Sequence, residues 1–212
     1  MTRPATLWGV TTVGGRLAVL AIVLVAACGG PDNTYVSEKG SGLFLRLPPD
    51  WTVYPLESGK PASDPTTDAD FGVWRVLIDG DHHPDRAHGE ELAPGAPVGT
   101  VQVVPRVAFS TPLPLAQGAL RSLFMPDGSD PLEALDLTDI EYHEIDLGHH
   151  WGNRLIATVD RGGVKIRIAQ LAFFDRGGKR LHVALIQCTV ECFRQHKREI
   201  DGVLDSFTLE DR

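Results

Sequence analysis

The clearest rhythm in the chain lies between residues 140 and 187. Apolar and β-branched residues run there in four stretches, 140–146, 154–160, 164–175 and 180–187, separated by polar or glycine-bearing breaks. Runs of that length, bounded by turn residues, predict strands rather than helices. Two of the breaks repeat one sequence, Asp160-Arg161-Gly162-Gly163 and Asp175-Arg176-Gly177-Gly178. Paired glycines admit the positive φ of tight hairpins, so the four strands are predicted to form an antiparallel meander. In the third strand, Val164, Ile166 and Ile168 alternate with Lys165 and Arg167 until Ala169-Gln170. Loss of alternation there predicts a bulge or a strand centre covered on both faces. Neither glycine pair leads into a helix, which argues for hairpins and against phosphate loops.

Upstream, Leu43–Leu47 and 51–54 read as two short strands around the turn Pro48-Pro49-Asp50. Residues 71–79 and 98–104 read as further strands, and 55–70 and 80–96 as loops. Two segments carry helical spacing instead. Thr111-Pro112 opens one, as cap and first helical residue, with Leu113, Ala116, Leu120, Leu123 and Phe124 on one face and Pro126-Asp127-Gly128 closing it. The other covers about 190–207, with Phe193, Ile200, Val203, Leu204 and Phe207 on its apolar face. Residues 208–212 read as a tail. Together these elements predict one α+β domain over 43–212, an antiparallel sheet of about six to seven strands flanked by helices.

The N-terminus follows another pattern. Residues 1–16 hold two arginines and no acid, and 17–27 are an unbroken apolar run. Eleven apolar residues fall short of the roughly 20 that span a bilayer as a helix. A basic start, a short apolar core and small residues before a cut make a secretory signal. Leu24-Val25-Ala26-Ala27-Cys28 resembles the lipobox of bacterial lipoproteins. That resemblance implies a thioether-linked diacylglycerol on Cys28 and cleavage before it. Residues 1–27 are then a signal peptide, and 28–42 a lipidated cysteine with a flexible Gly-, Ser- and Pro-containing tether. Two acyl chains suffice for stable anchoring. The expected location is the extracytoplasmic face of the cell membrane.

Export changes the reading of the other cysteines. Lipidation of Cys28 leaves Cys188 and Cys192, an even pair in an oxidising compartment, hence a disulfide. Positions i and i+4 are poorly aimed within one continuous helix. The bond is better placed if Cys188 ends a strand and Cys192 lies in the first turn of a helix capped by Thr189. Two alternatives stand beside it: Cys188, Cys192 and His196 as soft metal ligands on one helical face, or a redox pair of C-x3-C spacing.

Composition narrows the partners. The 212 residues carry a formal net charge of −8, and residues 1–27 contribute Arg3 and Arg16, so the remainder carries −10. An acidic body argues against nucleic acid and against docking on anionic lipid through basic patches. Protein, cation or small-molecule partners stay open, beside the bilayer reached through the Cys28 acyl anchor. No cofactor is expected.

Candidate chemistry is sparse. Asp81, His82, His83, Asp85 and His88, followed by Glu90 and Glu91, bring zinc-type ligands into one loop without a fixed motif spacing. His82, His83 and His88 are the metal candidates, against a solvated loop. His143, His149 and His150 are less specific, and His182 reads as a packed strand residue. Trp51, Trp74 and Trp151 read as core or rim residues, with an exposed binding anchor as the alternative. No G-x-S-x-G, P-loop or dinucleotide motif occurs, and the chain is not expected to be an enzyme.

Phe44-Leu45-Arg46-Leu47-Pro48-Pro49-Asp50-Trp51 and Val203-Leu204-Asp205-Ser206-Phe207, with a central helix and a four-stranded meander between them, resemble the Mog1/PsbP-like fold. The resemblance extends to the small actinobacterial lipoproteins that carry it and covers nearly all of 43–210. It implies an α-β-α sandwich that serves as a binding or assembly platform, generally without catalysis. It brings no catalytic residues. The function expected is a non-catalytic binding or assembly module for a protein or small ligand, using a concave surface between the sheet and the 55–70 and 80–96 loops. The alternative is an exported metal-binding lipoprotein using the His82, His83 and His88 loop.

Overall fold

The structure is a computed structural model that describes residues 33–56, 72–91, 94–105, 137–146, 150–175 and 177–210. Cys28, the signal segment, the helix expected over 111–125 and most of the 55–70 loop lie outside them. Seven antiparallel strands form the main sheet in the order β3-β4-β5-β9-β8-β7-β6. They are β3 (Thr52–Leu56), β4 (Trp74–Asp79), β5 (Val98–Pro105), β6 (Thr138–Asp146), β7 (Trp151–Arg161), β8 (Val164–Phe174) and β9 (Arg180–Thr189). The α+β class, the sheet size and the meander β6-β7-β8-β9 agree with the sequence reading. Both DRGG turns close hairpins. Asp160 Oδ1 accepts from Gly163 N at 2.7 Å, with Gly162 and Gly163 at φ 65° and 89°.

Strand β8 keeps an unbroken register with both neighbours, so Ala169-Gln170 is not a bulge. Ala169, Leu171 and Phe173 are buried on one face and Ile168, Gln170 and Ala172 on the other. Alternation of polarity disappears because neither face meets water.

A second sheet of three strands was not expected. It contains β1 (Thr34–Glu38), β2 (Leu43–Leu47) and β10 (Thr208–Leu209), in the order β1-β2-β10. Three expectations are corrected by it. The stretch 28–42, read as tether, contains β1. The segments Leu43–Leu47 and 51–54 do not form a hairpin with each other, because the Pro48–Trp51 turn (Trp51 N donating to Pro48 O, 3.2 Å) carries the chain from one sheet to the other. The tail contains β10.

Leu43, Leu45 and Leu47 turn inward from β2 onto Val76, Ile78, Val101, Leu171 and Ile186 of the main sheet, forming the principal core with Val36 and Trp51. The C-terminal segment completes this layer as two helices, α1 (Val190–Gln195) and α2 (Lys197–Asp205), where one had been expected. The Cys188–Cys192 disulfide (Cα–Cα 5.9 Å) pins α1 to the end of β9. Ile200, Val203 and Leu204 of α2 must meanwhile face the core, and His196, at φ −99° and ψ 12°, takes up the change of direction. Thr189 caps α1 as expected, its hydroxyl accepting from Cys192 N at 3.3 Å.

Both family-like motifs are now explained by packing. Leu45, Leu47 and Trp51 are core residues, and Phe207 stacks on Phe173 with centroids 5.3 Å apart. Ser206 Oγ accepts from Arg46 N at 2.9 Å and lies 3.1 Å from Arg46 O, clamping the end of α2 to β2.

Candidate functional site

On the face of the main sheet turned away from β2, β4 presents Arg75, Leu77 and Asp79. They lie beside Leu56, Tyr54 and Thr52 of β3 and Gln102, Thr100 and Val98 of β5. Asp79 is fully buried. A buried carboxylate is costly unless its lone pairs are filled, and here three donors fill them. Asp81 N donates to Oδ1 at 2.9 Å; Asp85 N, at 2.9 Å, and His88 Nδ1, at 2.8 Å, meet Oδ2. Two more aspartates continue the scheme outward. Asp81 Oδ1 accepts from His83 N at 2.7 Å, and Asp85 Oδ1 from Ala87 N at 2.8 Å, capping a 3-10 turn over Arg86–Glu90. The loop is therefore wound around carboxylates. Gly89 lets it settle on the sheet, since a Cβ there would stand 2.7 Å from Leu77 Cδ1.

Between this turn and the sheet lies a cleft of about 360 Å³, lined by Leu56, Arg75, Leu77, Thr100, Arg86 and Glu90 among others. Arg75 Nε donates to Gln102 Oε1 at 3.2 Å, which orients its guanidinium. The hydrogen bond to Asp79 raises the His88 pKa above its ordinary value, with the charges of Asp79, Glu91 and Asp81 adding to it. Tyr54 is pushed up by partial desolvation and by Asp79 and Asp85, so its phenol stays neutral. Guanidinium groups above an apolar floor suit a ligand with an acidic group and an apolar body.

The candidates from the sequence are dispersed. His82 and His83 are exposed, and the Nδ1 of His88 is engaged by Asp79. Among the described residues no three His, Cys, Asp or Glu side chains are grouped to hold a metal ion. His143 is exposed on β6, His149 lies outside the described residues, and His150 is buried. His182 is 1% exposed on β9, and burial lowers its pKa to about 4, keeping it neutral. Cys188 and Cys192 are buried in their disulfide and His196 Nδ1 bonds Glu199 Oε2 at 2.9 Å, so the three do not form a ligand set. Trp51 is buried, while Trp74 and Trp151 pack partly buried against the core. Exposed aromatics occur instead at Tyr35 and Phe44, 55% and 38% accessible.

Two features escaped the sequence reading. Asp79 looked like the polar end of a strand, and only its place before Gly80-Asp81 hinted at a turn-holding role. Phe44 was findable, since alternation within Leu43–Leu47 puts it outward with Arg46.

No protein-family model matches the chain, and no curated protein matches its sequence. Solved structures do resemble it. Cyanobacterial PsbP (CyanoP) from Synechocystis sp. PCC 6803 superposes with a TM-score of 0.55 at 15% identity, covering 87% of this chain and 96% of that one. LpqN, involved in cell envelope biogenesis of Mycobacterium tuberculosis, gives 0.45 at 15% identity over 84% and 91% of the two chains. The Saccharomyces cerevisiae Ran-binding protein Mog1p gives 0.44 at 10% identity over 86% and 97%. At these identities the likeness speaks of architecture, and the chain has the Mog1/PsbP-like fold.

Proposed function

We propose that the chain is a membrane-anchored extracytoplasmic lipoprotein, and that its domain is a non-catalytic binding module whose ligand enters the cleft beneath residues 80–91. The observation that carries the second part is the threefold hydrogen bonding of buried Asp79. It fixes the loop against the sheet without a ligand, so the cleft is preformed and binding need not supply the cost of ordering it. Arg75 and Arg86 on the walls and Leu56 and Leu77 within it favour a protein segment or small molecule that offers a carboxylate or phosphate next to an apolar group. The anchor rests on Leu24-Val25-Ala26-Ala27-Cys28, and the disulfide suits the oxidising side of the membrane.

Photo-crosslinking on intact cells tests the module. A crosslinker at Thr100 should capture a discrete partner, and Arg86→Glu should abolish the product. Absence of any product from a protein present at normal level, or a product indifferent to Arg86→Glu, contradicts the assignment of the cleft. For the anchor, Cys28→Ala should leave the protein soluble or uncleaved. Normal membrane retention of the processed variant refutes lipidation.

A further inference from the structure

The outer face of the three-stranded sheet carries side chains that the fold does not use. In β1, Val36 points into the core while Tyr35 and Ser37 point out. In β2, Phe44 and Arg46 point out between buried leucines. Register places Tyr35 opposite Arg46 and Ser37 opposite Phe44, so the four make one continuous patch. The Tyr35 and Phe44 rings meet at a centroid distance of 5.3 Å, both exposed. Beside the patch runs a groove of about 250 Å³, lined among others by Asn33, Arg46, Pro48, Arg198 and Glu199.

Charge around this groove is not balanced. The neighbouring acids each have a base: Glu191 meets Arg194, Glu199 meets His196, and Asp201 and Asp205 meet Arg154, with Lys197 also on Asp201. Among the described residues no acid pairs with Arg46 or Arg198. Two unpaired guanidinium groups beside two exposed aromatic rings form the combination that settles at the headgroup level of a bilayer, where aromatic rings partition to the interface and arginine meets phosphate.

The covalent path says which surface is near. Tyr35 lies seven steps along the chain from Cys28; fully extended these reach at most about 25 Å, whereas a domain of this size is roughly 40 Å across. A short leash cannot present every face of the domain to the membrane equally. It ends at this patch.

We infer that the outer face of the β1-β2 hairpin, through Tyr35, Phe44, Arg46 and Arg198, docks on anionic lipid headgroups of the bilayer that holds the Cys28 acyl chains. The inference rests on the lipid anchor proposed above. Docking is then intramolecular, so weak contacts suffice to orient a protein already concentrated at the surface. The acidic remainder, at −10 beyond residue 27, is repelled by the same headgroups, which sharpens the orientation. The proposal runs against the expectation from net charge that an acidic body does not dock through basic patches. A docked hairpin would also leave the Asp79 cleft, on the other face of the main sheet, directed away from the lipid.

The test uses the mature acylated protein with a fluorescent reporter on Ser37→Cys, reconstituted in phosphatidylcholine vesicles with or without phosphatidylglycerol, each doped with a headgroup nitroxide quencher. A second reporter, on His82→Cys, sits on the loop of the opposite face. Strong quenching is expected at 37 and not at 82, only with phosphatidylglycerol, and released by salt. Arg→Gln at Arg46 or at Arg198 should lower the docked-to-undocked ratio about fivefold each, and charge reversal at either site by on the order of 30-fold. Flotation separates the two ideas. Protein that does not float with vesicles overturns the anchor and the docking with it. Protein that floats but shows equal quenching at both positions, or quenching unchanged in phosphatidylcholine alone or in the charge variants, overturns the docking while the anchor stands.

Discussion

Replacing Asp79 by asparagine asks whether one buried carboxylate holds the candidate site. The amide is isosteric, so packing is conserved and only hydrogen bonding changes. If the amide oxygen takes the place of Oδ2, it keeps the partners Asp85 N and His88 Nδ1. The amide nitrogen then faces Asp81 N, donor against donor. One charge-assisted bond is lost outright, at about 1.5–3 kcal/mol, and the others fall to roughly half their strength as neutral bonds. The expected cost is about 3 kcal/mol, because Asp79 is fully buried although most of the loop is exposed. If residues 80–91 unfold with the domain, the midpoint of thermal unfolding drops by roughly 6–12 °C. If they open alone, the midpoint moves little and the amides of Asp81 and Asp85 exchange about a hundredfold faster. Calorimetry and hydrogen exchange on the same samples tell these apart. NMR titration supplies a third readout: His88 should titrate above its ordinary pKa in the parent protein and lose most of that elevation in Asp79→Asn. A raised folded-state value means that the His88–Asp79 pair contributes stability below about pH 6.5 and loses it as pH rises through the folded value. An unchanged midpoint together with unchanged exchange at Asp81 and Asp85 would refute the claim that Asp79 organises the loop.

Three further outcomes follow from the packing. Gly99→Ala places a Cβ 2.1 Å from Leu185 O on the adjoining strand β9, a backbone atom that cannot swing aside; a loss of about 3 kcal/mol in denaturant unfolding is expected, and a neutral result shows that β5 and β9 are further apart than described. The double change Cys188→Ala/Cys192→Ala removes a cross-link between residues four apart, so the loop-entropy loss is only about 2 kcal/mol; mass measurement of the parent without reductant should find both sulfurs oxidised, and two free thiols contradict the bond. His182, held near pKa 4 by burial, stays neutral where the unfolded chain binds a proton, so stability falls as pH drops from about 6.5 toward 4, by on the order of 3 kcal/mol; His182→Phe should flatten that limb in urea titrations, and an unchanged slope assigns it to other groups.

What could be read in advance divides by range along the chain. The meander β6-β7-β8-β9 was legible because each strand pairs with its neighbour through a local turn, and Asp160 and Asp175 with their glycines announce those turns. The disulfide was legible because strand end, Thr189 cap and cysteine spacing agree within five residues. By contrast, β1 has no rhythm of its own; it exists because β2 offers it an edge. Likewise β10 is two residues long, held to β2 across the whole sequence, with Ser206 bonding the backbone of Arg46. Nothing local distinguishes such a segment from a tail. The Asp79 site failed to show for a similar reason. Its partners Asp81, Asp85 and His88 were all noticed, but as candidate ligands for a metal, since sequence shows donors and acceptors without showing which of them face each other.

Net charge bears on the proposed docking in its own way. It is a sum over the chain, and the field it describes applies at distances larger than the protein. At physiological ionic strength charges act over roughly 8–10 Å, about the spacing of a few side chains, so a membrane surface meets a patch and not a total. On this chain the acids near α2 are already paired with Arg154, Lys197, Arg194 and His196, while Arg46 and Arg198 share a groove near Asn33, where the described chain begins. Strand alternation, not composition, decides that Arg46 and Phe44 stand together on the outside, because shifting β2 by one residue would bury both and expose three leucines. On the docking proposed above, the orientation of this protein on a membrane would be set by the same period-two pattern that builds its core.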